Sequence, residues 1–209
     1  MKIFFIRHGE SEANILHEFS NHGLKHGLTE KGKIQTLSLI NELKDVVFYK
    51  LYCSPLLRAV ETADIISKEK EIPYEIRNSI IELNCGVLEG KSDELSWQQF
   101  HSIIDEWLIH KLWDKSFEGG ESFLDIKNRF LTFIEEIIKQ YGHSKKNIGM
   151  IGHGGIYLCT LPLILTNIDF AFALNHLLKN TSLVIAEYIE EKFHCLKWGD
   201  VNISKEFNF

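Results

Sequence analysis

The sequence predicts an α/β protein, a three-layer α/β/α sandwich around a largely parallel central sheet. Three observations carry that prediction. Short apolar runs ("KIFFI", "VVFYKLYC", "NIGMIG") alternate with longer stretches of helical periodicity, the pattern of helices laid on both faces of a sheet. Each run ends at polar residues with no use in a core: Arg7-His8-Gly9, Ser54 to Arg58, and Gly152-His153-Gly154-Gly155. The 209 residues contain no repeat, no low-complexity segment and only three prolines, so no linker is visible and one domain over 1–209 is expected.

In chain order, "KIFFI" reads as a buried strand closed by the Arg-His-Gly turn. "LTEKGKIQTLSLINELK" reads as a helix with Thr29 as N-cap and Ile34, Leu37, Ile40 and Leu43 as its apolar stripe. "VVFYKLYCS" is a second strand. At its end "SPLLRAVETADIISK" is expected to open a helix, with Ser54 as N-cap and Pro55 at the first helical position. "YEIR" is a short strand and "LNCGVLEGKS" a glycine-punctuated loop. Residues 93–113 show helical spacing of Trp97, Phe100, Ile104, Trp107 and Leu108, a set that suits a core or a lid. "GGESFLDIKNRFLTFIEEIIKQYG" is a long amphipathic helix with a capping-box start at Ser122 and Asp125. "NIGMIGHGG" is a third strong strand running into a helix. "TSLVIAEYIE" and "KFHCLKWGD" form an antiparallel pair whose edge offers a surface for dimerisation; a monomer and a homodimer are both compatible with the sequence.

Composition narrows the function. With 29 acidic and 23 basic residues the net charge is −6, which argues against nucleic acid or an anionic membrane surface as partner. Cys53, Cys85, Cys159 and Cys195 are dispersed without C-x-x-C spacing, and the apolar run Ile3–Ile6 is too short for a secretory segment. A cytoplasmic protein with reduced thiols is expected. The stretch "GIYLCTLPLILTNIDFAFALNHLL" is interrupted by Pro162, Asn167, Asp169 and Asn175, and suits a buried helix better than a membrane span.

In parallel sheets ligands bind beyond the carboxyl ends of the strands, where the three polar turns are expected to meet. The tetrad "RHGE" (7–10) would arise by chance in a chain of this length on the order of once in a thousand. It continues as "ESEAN" to Asn14. "SPLLRAVETA" (54–63), "IELNCGVLEG" (81–90) and "GHGG" (152–155) follow, with "LTEKGKIQT" (28–36) and "GGES" (119–122) between. Over residues 1 to about 160 this order of motifs resembles the histidine phosphatase superfamily, whose fold is phosphoglycerate-mutase-like.

The resemblance implies a phosphoryl pocket. His8 is the expected nucleophile, a neutral imidazole nitrogen attacking phosphorus in line while its other nitrogen is fixed by the Gly9 carbonyl. Arg7 and Arg58 clamp phosphate oxygens, Asn14 adds a side-chain contact, and His153 serves as a charged or hydrogen-bond-donating partner. Gly154 and Gly155 open a helix whose N–H groups can add anion contacts. Glu82 carries over as general acid and then general base, preferred to Glu89 of the same loop by its E-x-x-x-G spacing. No metal and no cofactor are expected, because two arginines and two histidines supply the positive charge.

Other residues have plainer readings. Gln35 suits helix packing, and Glu121 and Ser122 are open between a helix cap and site contact. His22 and His26 lie four apart, but "NHGLKHG" is glycine-broken and lacks a carboxylate or Cys companion, so a loop over the pocket is expected rather than a zinc site. Cys85 and Leu88 stand where relatives carry aromatic residues. The chain also has neither the Asp nor the Pro that many relatives place before the second helix. Residues about 82–120 are expected to form a loop and helical lid insertion. That insert is modest and of mixed charge, and the last motif ends Gly-Gly; both favour a phosphatase of small phosphomonoesters, with a sugar phosphate, a phosphoglycerate or α-ribazole phosphate as examples. A phosphoglycerate mutase and a non-catalytic phosphate-binding module are the alternatives.

Overall fold

The first strand sets the layers. In the computed structural model, which describes residues 1–203, β1 (Lys2–Arg7) is buried along almost its whole length. Ile3 and Phe5 enter one hydrophobic core and Phe4 and Ile6 the other, as strand alternation requires of a sheet covered on both faces. Helices α2 (Glu30–Glu42) and α3 (Leu57–Lys70) close the smaller core. Helices α4 (Glu94–Leu108), α5 (Phe123–Tyr141), α6 (Gly154–Ile164) and α7 (Phe170–Asn175) close the larger one; a single turn, α1 (Glu12–Leu16), follows β1.

The remaining strands are β2 (Lys50–Cys53), β3 (Tyr74–Ile76), β4 (Asn147–Gly152), β5 (Leu183–Ile189), β6 (Lys192–Trp198) and β7 (Val201–Asn202), in the order β3-β2-β4-β1-β5-β6-β7. The sheet is mixed. Strands β3, β2, β4 and β1 are parallel, whereas β5, β6 and β7 join antiparallel to their neighbours. The expected antiparallel pair is β5–β6, and it continues the sheet directly on β1. Register places Arg7 opposite Gly152 and Cys53 opposite Ile151, so β1, β2 and β4 end level at one edge.

Local signals behave as expected at several ends. Thr29 accepts the Gly32 N–H at the start of α2, and Ser122 with Asp125 forms the capping box of α5. Two expectations are corrected. Leu56, not Ser54, is the N-cap of α3, because the Ser54 hydroxyl is engaged across the sheet by His153. The buried face of α2 is Gly32, Thr36, Leu39 and Leu43, leaving Ile34 64% and Leu37 46% exposed. A close backbone approach rotates the helix this way: a Cβ on Gly32 would lie 2.0 Å from the Glu10 carbonyl oxygen, and one on Gly9 would lie 2.5 Å from the Gly32 oxygen.

That contact predicts the sign of a substitution. Alanine in a helix is ordinarily favoured over glycine by about 1 kcal/mol. At Gly32 the methyl group meets backbone that must move, an overpacking that costs about 1–3 kcal/mol. Gly32→Ala is therefore expected to lower the urea midpoint of unfolding, and an increase would contradict the contact.

Candidate active site

The level strand ends gather the polar turns. His8 donates its backbone N–H to the Gly152 carbonyl, 3.1 Å, and the Ser54 N–H reaches the Ile151 carbonyl, 2.9 Å. The rings of His8 and His153 consequently stand 5.1 Å apart, centroid to centroid. In front of them lies a cavity of about 380 Å³ lined at its base by Arg7, His8, Asn14, Arg58, Glu82 and Gly154. Of the residues expected to be catalytic or to bind phosphate, only His153 does not line it; that ring is fully buried, next to His8.

His8 Nδ1 lies 2.6 Å from the Gly9 carbonyl, which can only accept, so Nδ1 carries the proton and Nε2 the lone pair. The Arg58 Nε–H points at that lone pair, 3.1 Å away. Burial, then Arg58 and Arg7, hold His8 well below the ordinary imidazole range, against a smaller raising effect of the Gly9 bond. His8 is thus a neutral imidazole at the cavity base, with its unprotonated nitrogen held by Arg58.

Arg7 and Arg58 are oriented by backbone. Arg7 Nη1 donates to the Leu178 carbonyl and Arg58 Nη1 to the Ser20 carbonyl, 2.7 Å. Burial lowers both; Arg58 is pushed down to about 10, and Glu82 opposes the shift in each. Arg58 therefore keeps its charge at neutral pH. Arg7 Nε is buried without a hydrogen-bond partner. Asn14 is held through Oδ1, which accepts from Ser11 and, at 3.0 Å, from Asn180 Nδ2.

His153 Nε2 is 2.6 Å from the Ser54 hydroxyl, which already accepts the Leu56 N–H at 3.3 Å. The two side chains share this one hydrogen bond. The other ring nitrogen, Nδ1, is buried without a partner. Burial and then Arg58 hold this imidazole well below its ordinary range as well, which argues against the charged state.

Glu82 arrives on the loop after β3, and its carboxylate sits on the N-terminus of α6. Oε1 accepts the N–H groups of Ile156, 2.7 Å, and Leu83, 3.0 Å; Oε2 accepts only that of Gly155, 3.0 Å. This corrects the expectation that the α6 amides are free for an anion, since the Gly155 amide is taken by the protein's own carboxylate. Glu89 has another task, accepting the backbone N–H groups of Asn21 and His22.

Glu121 and Ser122 do not line the cavity. Glu121 pairs with Arg129 at 2.7 Å, and Arg129 donates to the carbonyls of Ser79, Ile81 and Glu82, so the pair braces the Glu82 loop from behind. Gln35 accepts the Glu10 N–H, 2.9 Å, and steadies the turn after His8. His26 is buried against Ser20, bracing the loop that Arg58 holds, and His22 is exposed beside Glu89. No cluster suited to a metal ion occurs among the described residues. Sequence reasoning missed Asn180, Arg129 and the role of Ser54. Asn180 donates to both Asn14 and the His8 carbonyl, and nothing in its local sequence marks it.

Comparison with known proteins identifies the family. Residues 3–201 match the histidine phosphatase superfamily (branch 1), and the chain belongs to that family. Relatives in that family include proteins named as phosphatases. It is 30% identical over 155 residues to phosphoserine phosphatase 1 of Hydrogenobacter thermophilus, covering 73% of this chain and 71% of that protein. It is 26% identical over 167 residues to adenosylcobalamin/alpha-ribazole phosphatase of Salmonella typhimurium, covering 79% and 80%. Bacillus stearothermophilus YhfR superposes with a TM-score of 0.80 at 24% identity over 97% of this chain and 98% of that one, a likeness of fold.

The two neutral histidines make stability depend on pH. Below the ordinary imidazole value of about 6.5 the unfolded chain takes up protons that the folded chain refuses, so acid favours unfolding. Stability is expected to fall from pH 7 to pH 5 by up to about 1.4 kcal/mol per pH unit for each such histidine. Urea titrations at both pH values, with His8→Asn showing a shallower dependence, check this; parallel dependences would contradict it.

Proposed function

We propose that the chain hydrolyses small phosphomonoesters without a metal, through a phosphohistidine on His8. The observation that carries the reading is the His8 tautomer: Nδ1 is tied to the Gly9 carbonyl, which leaves Nε2 unprotonated at the cavity base, where it accepts the Arg58 Nε–H that an incoming phosphoryl oxygen would draw away. In the first step Nε2 attacks phosphorus as the P–O bond to the leaving alcohol breaks. Glu82 donates its proton to the departing oxygen. In the second step a water oxygen attacks phosphorus, the P–N bond breaks, and Glu82 takes up the water proton. Oε2, which accepts one N–H where Oε1 accepts two, has the spare capacity for that proton. Arg7, Arg58, Asn14 and Gly154 surround the transferring group with the buried His153 ring backing His8, and the unpartnered Arg7 Nε supplies a donor for its oxygens.

In this reading residues 82–120 are the lid of a single domain over 1–209. A small phosphorylated metabolite is the partner, and the setting is cytoplasmic, in keeping with four buried, unpaired cysteines. Phosphate release in EDTA is the test. The wild type is expected to turn over, His8→Ala to form no acid-labile phosphoenzyme and release nothing, and Glu82→Gln to lose about 10²–10⁴-fold in kcat. Isomerisation of 3-phosphoglycerate without release would establish a mutase instead. Binding of phosphate esters with neither activity would establish a binding module.

A further inference from the structure

Beyond the phosphoryl end, the cavity changes character. Phe19 lies against Trp97 with ring centroids 4.2 Å apart and against Phe100 at 5.3 Å. The Trp97 indole N–H donates to the His17 carbonyl, which ties this loop to α4. Ile104 continues the wall along α4, Leu158 adds from α6, and Leu174, Leu178 and Trp198 face them from the other side. Among the described residues lining the cavity, Arg7 and Arg58 are the only permanent cations, and both are committed to the base beside His8. The charged residues of the outer wall are acidic: Glu18, paired outward with Lys25, and Asp105, on the exposed side of α4.

From this we infer that the leaving group is apolar, with an aromatic or bulky hydrocarbon body, and carries no anion besides the phosphoryl group itself. The inference rests on the phosphatase reading of the same site. A second carboxylate or phosphate would be drawn from water into a wall of aromatic and aliphatic carbon, with no guanidinium or ammonium to receive it and two carboxylates nearby. An apolar ring instead gains by leaving water against Phe19, Trp97 and Phe100. A cavity of about 380 Å³ has room for a phosphoryl group and one such ring.

The test compares esters of primary alcohols, so that leaving-group basicity does not dominate: 2-phenylethyl phosphate, cyclohexylmethyl phosphate, phosphoethanolamine, phosphoserine and 3-phosphoglycerate, the last a chemically similar primary ester. Wild-type kcat/KM is expected to be at least tenfold higher for the two apolar esters than for phosphoserine or 3-phosphoglycerate. Trp97→Ala should raise KM for 2-phenylethyl phosphate about tenfold and shrink its advantage over phosphoethanolamine. Asp105→Lys, on an exposed helical position, should raise kcat/KM for 3-phosphoglycerate several-fold without needing any change in the core. Phosphate release from phosphoserine or 3-phosphoglycerate at a rate equal to or above that of the apolar esters overturns the inference and leaves the phosphatase reading standing. No release from any ester overturns both.

Discussion

The parallel pairing of β1 with β4 is the constraint on which the site depends. It sets Arg7 opposite Gly152, and the next residue on each strand is a histidine. Because strand side chains alternate between faces, a slip of one residue would turn the Ile3–Ile6 pattern inside out on both cores and separate the two imidazoles. The two hydrophobic cores therefore fix the relation of His8 to His153. β2, paired on the other side of β4, brings Ser54 to the same level, and β5 on the far side of β1 brings Leu178 and Asn180.

A site so assembled sets two guanidinium groups at the base of the cavity, and its groups are held by specific acceptors. The arginines are anchored by the carbonyls of Leu178 and Ser20, which leaves donors pointing at the cavity base. Both imidazoles stay neutral because burial and neighbouring guanidinium groups oppose a further positive charge. Glu82 is the counter-charge and rests on the α6 N-terminus; a Cβ on Gly155 would lie 2.7 Å from its Oε1, so glycine there is what lets the carboxylate reach the amides. The unpartnered buried Arg7 Nε–H costs stability in the free protein, and an anion at the base would satisfy it.

Much of this was legible in the sequence, and the boundary is physical. Elements governed by nearby residues came through: β1, the Thr29 cap, the Ser122–Asp125 capping box, and the β5–β6 hairpin. So did the convergence of the three polar turns, because strand ends in an α/β sheet have only one place to go. What failed was decided across the chain. Ser54 looks like a cap in its own segment, but His153, 99 residues away, takes its hydroxyl. Ile34 and Leu37 look like a core stripe, but the Gly32–Glu10 contact turns them to solvent. Asn180 and Arg129 act through backbone carbonyls more than 40 residues distant, and no local pattern encodes such contacts.

The two ends of the cavity are built from different kinds of structure. The phosphoryl end is made by strand termini and the first turns of helices, locked between two cores, where a small displacement would disturb in-line geometry. The outer end is made mostly by the 18–21 loop, one face of α4 and the chain around α7, with Trp198 at the end of β6 its one contribution from the sheet among the described residues. Substitutions in Trp97 or Asp105 can therefore alter what the cavity accepts while the register of β1 and β4 keeps His8, Arg7 and His153 where they are. The groups around His8 are tied to strand termini and the outer wall is carried mostly by loops and helices, so the base of the cavity is constrained far more tightly than its mouth.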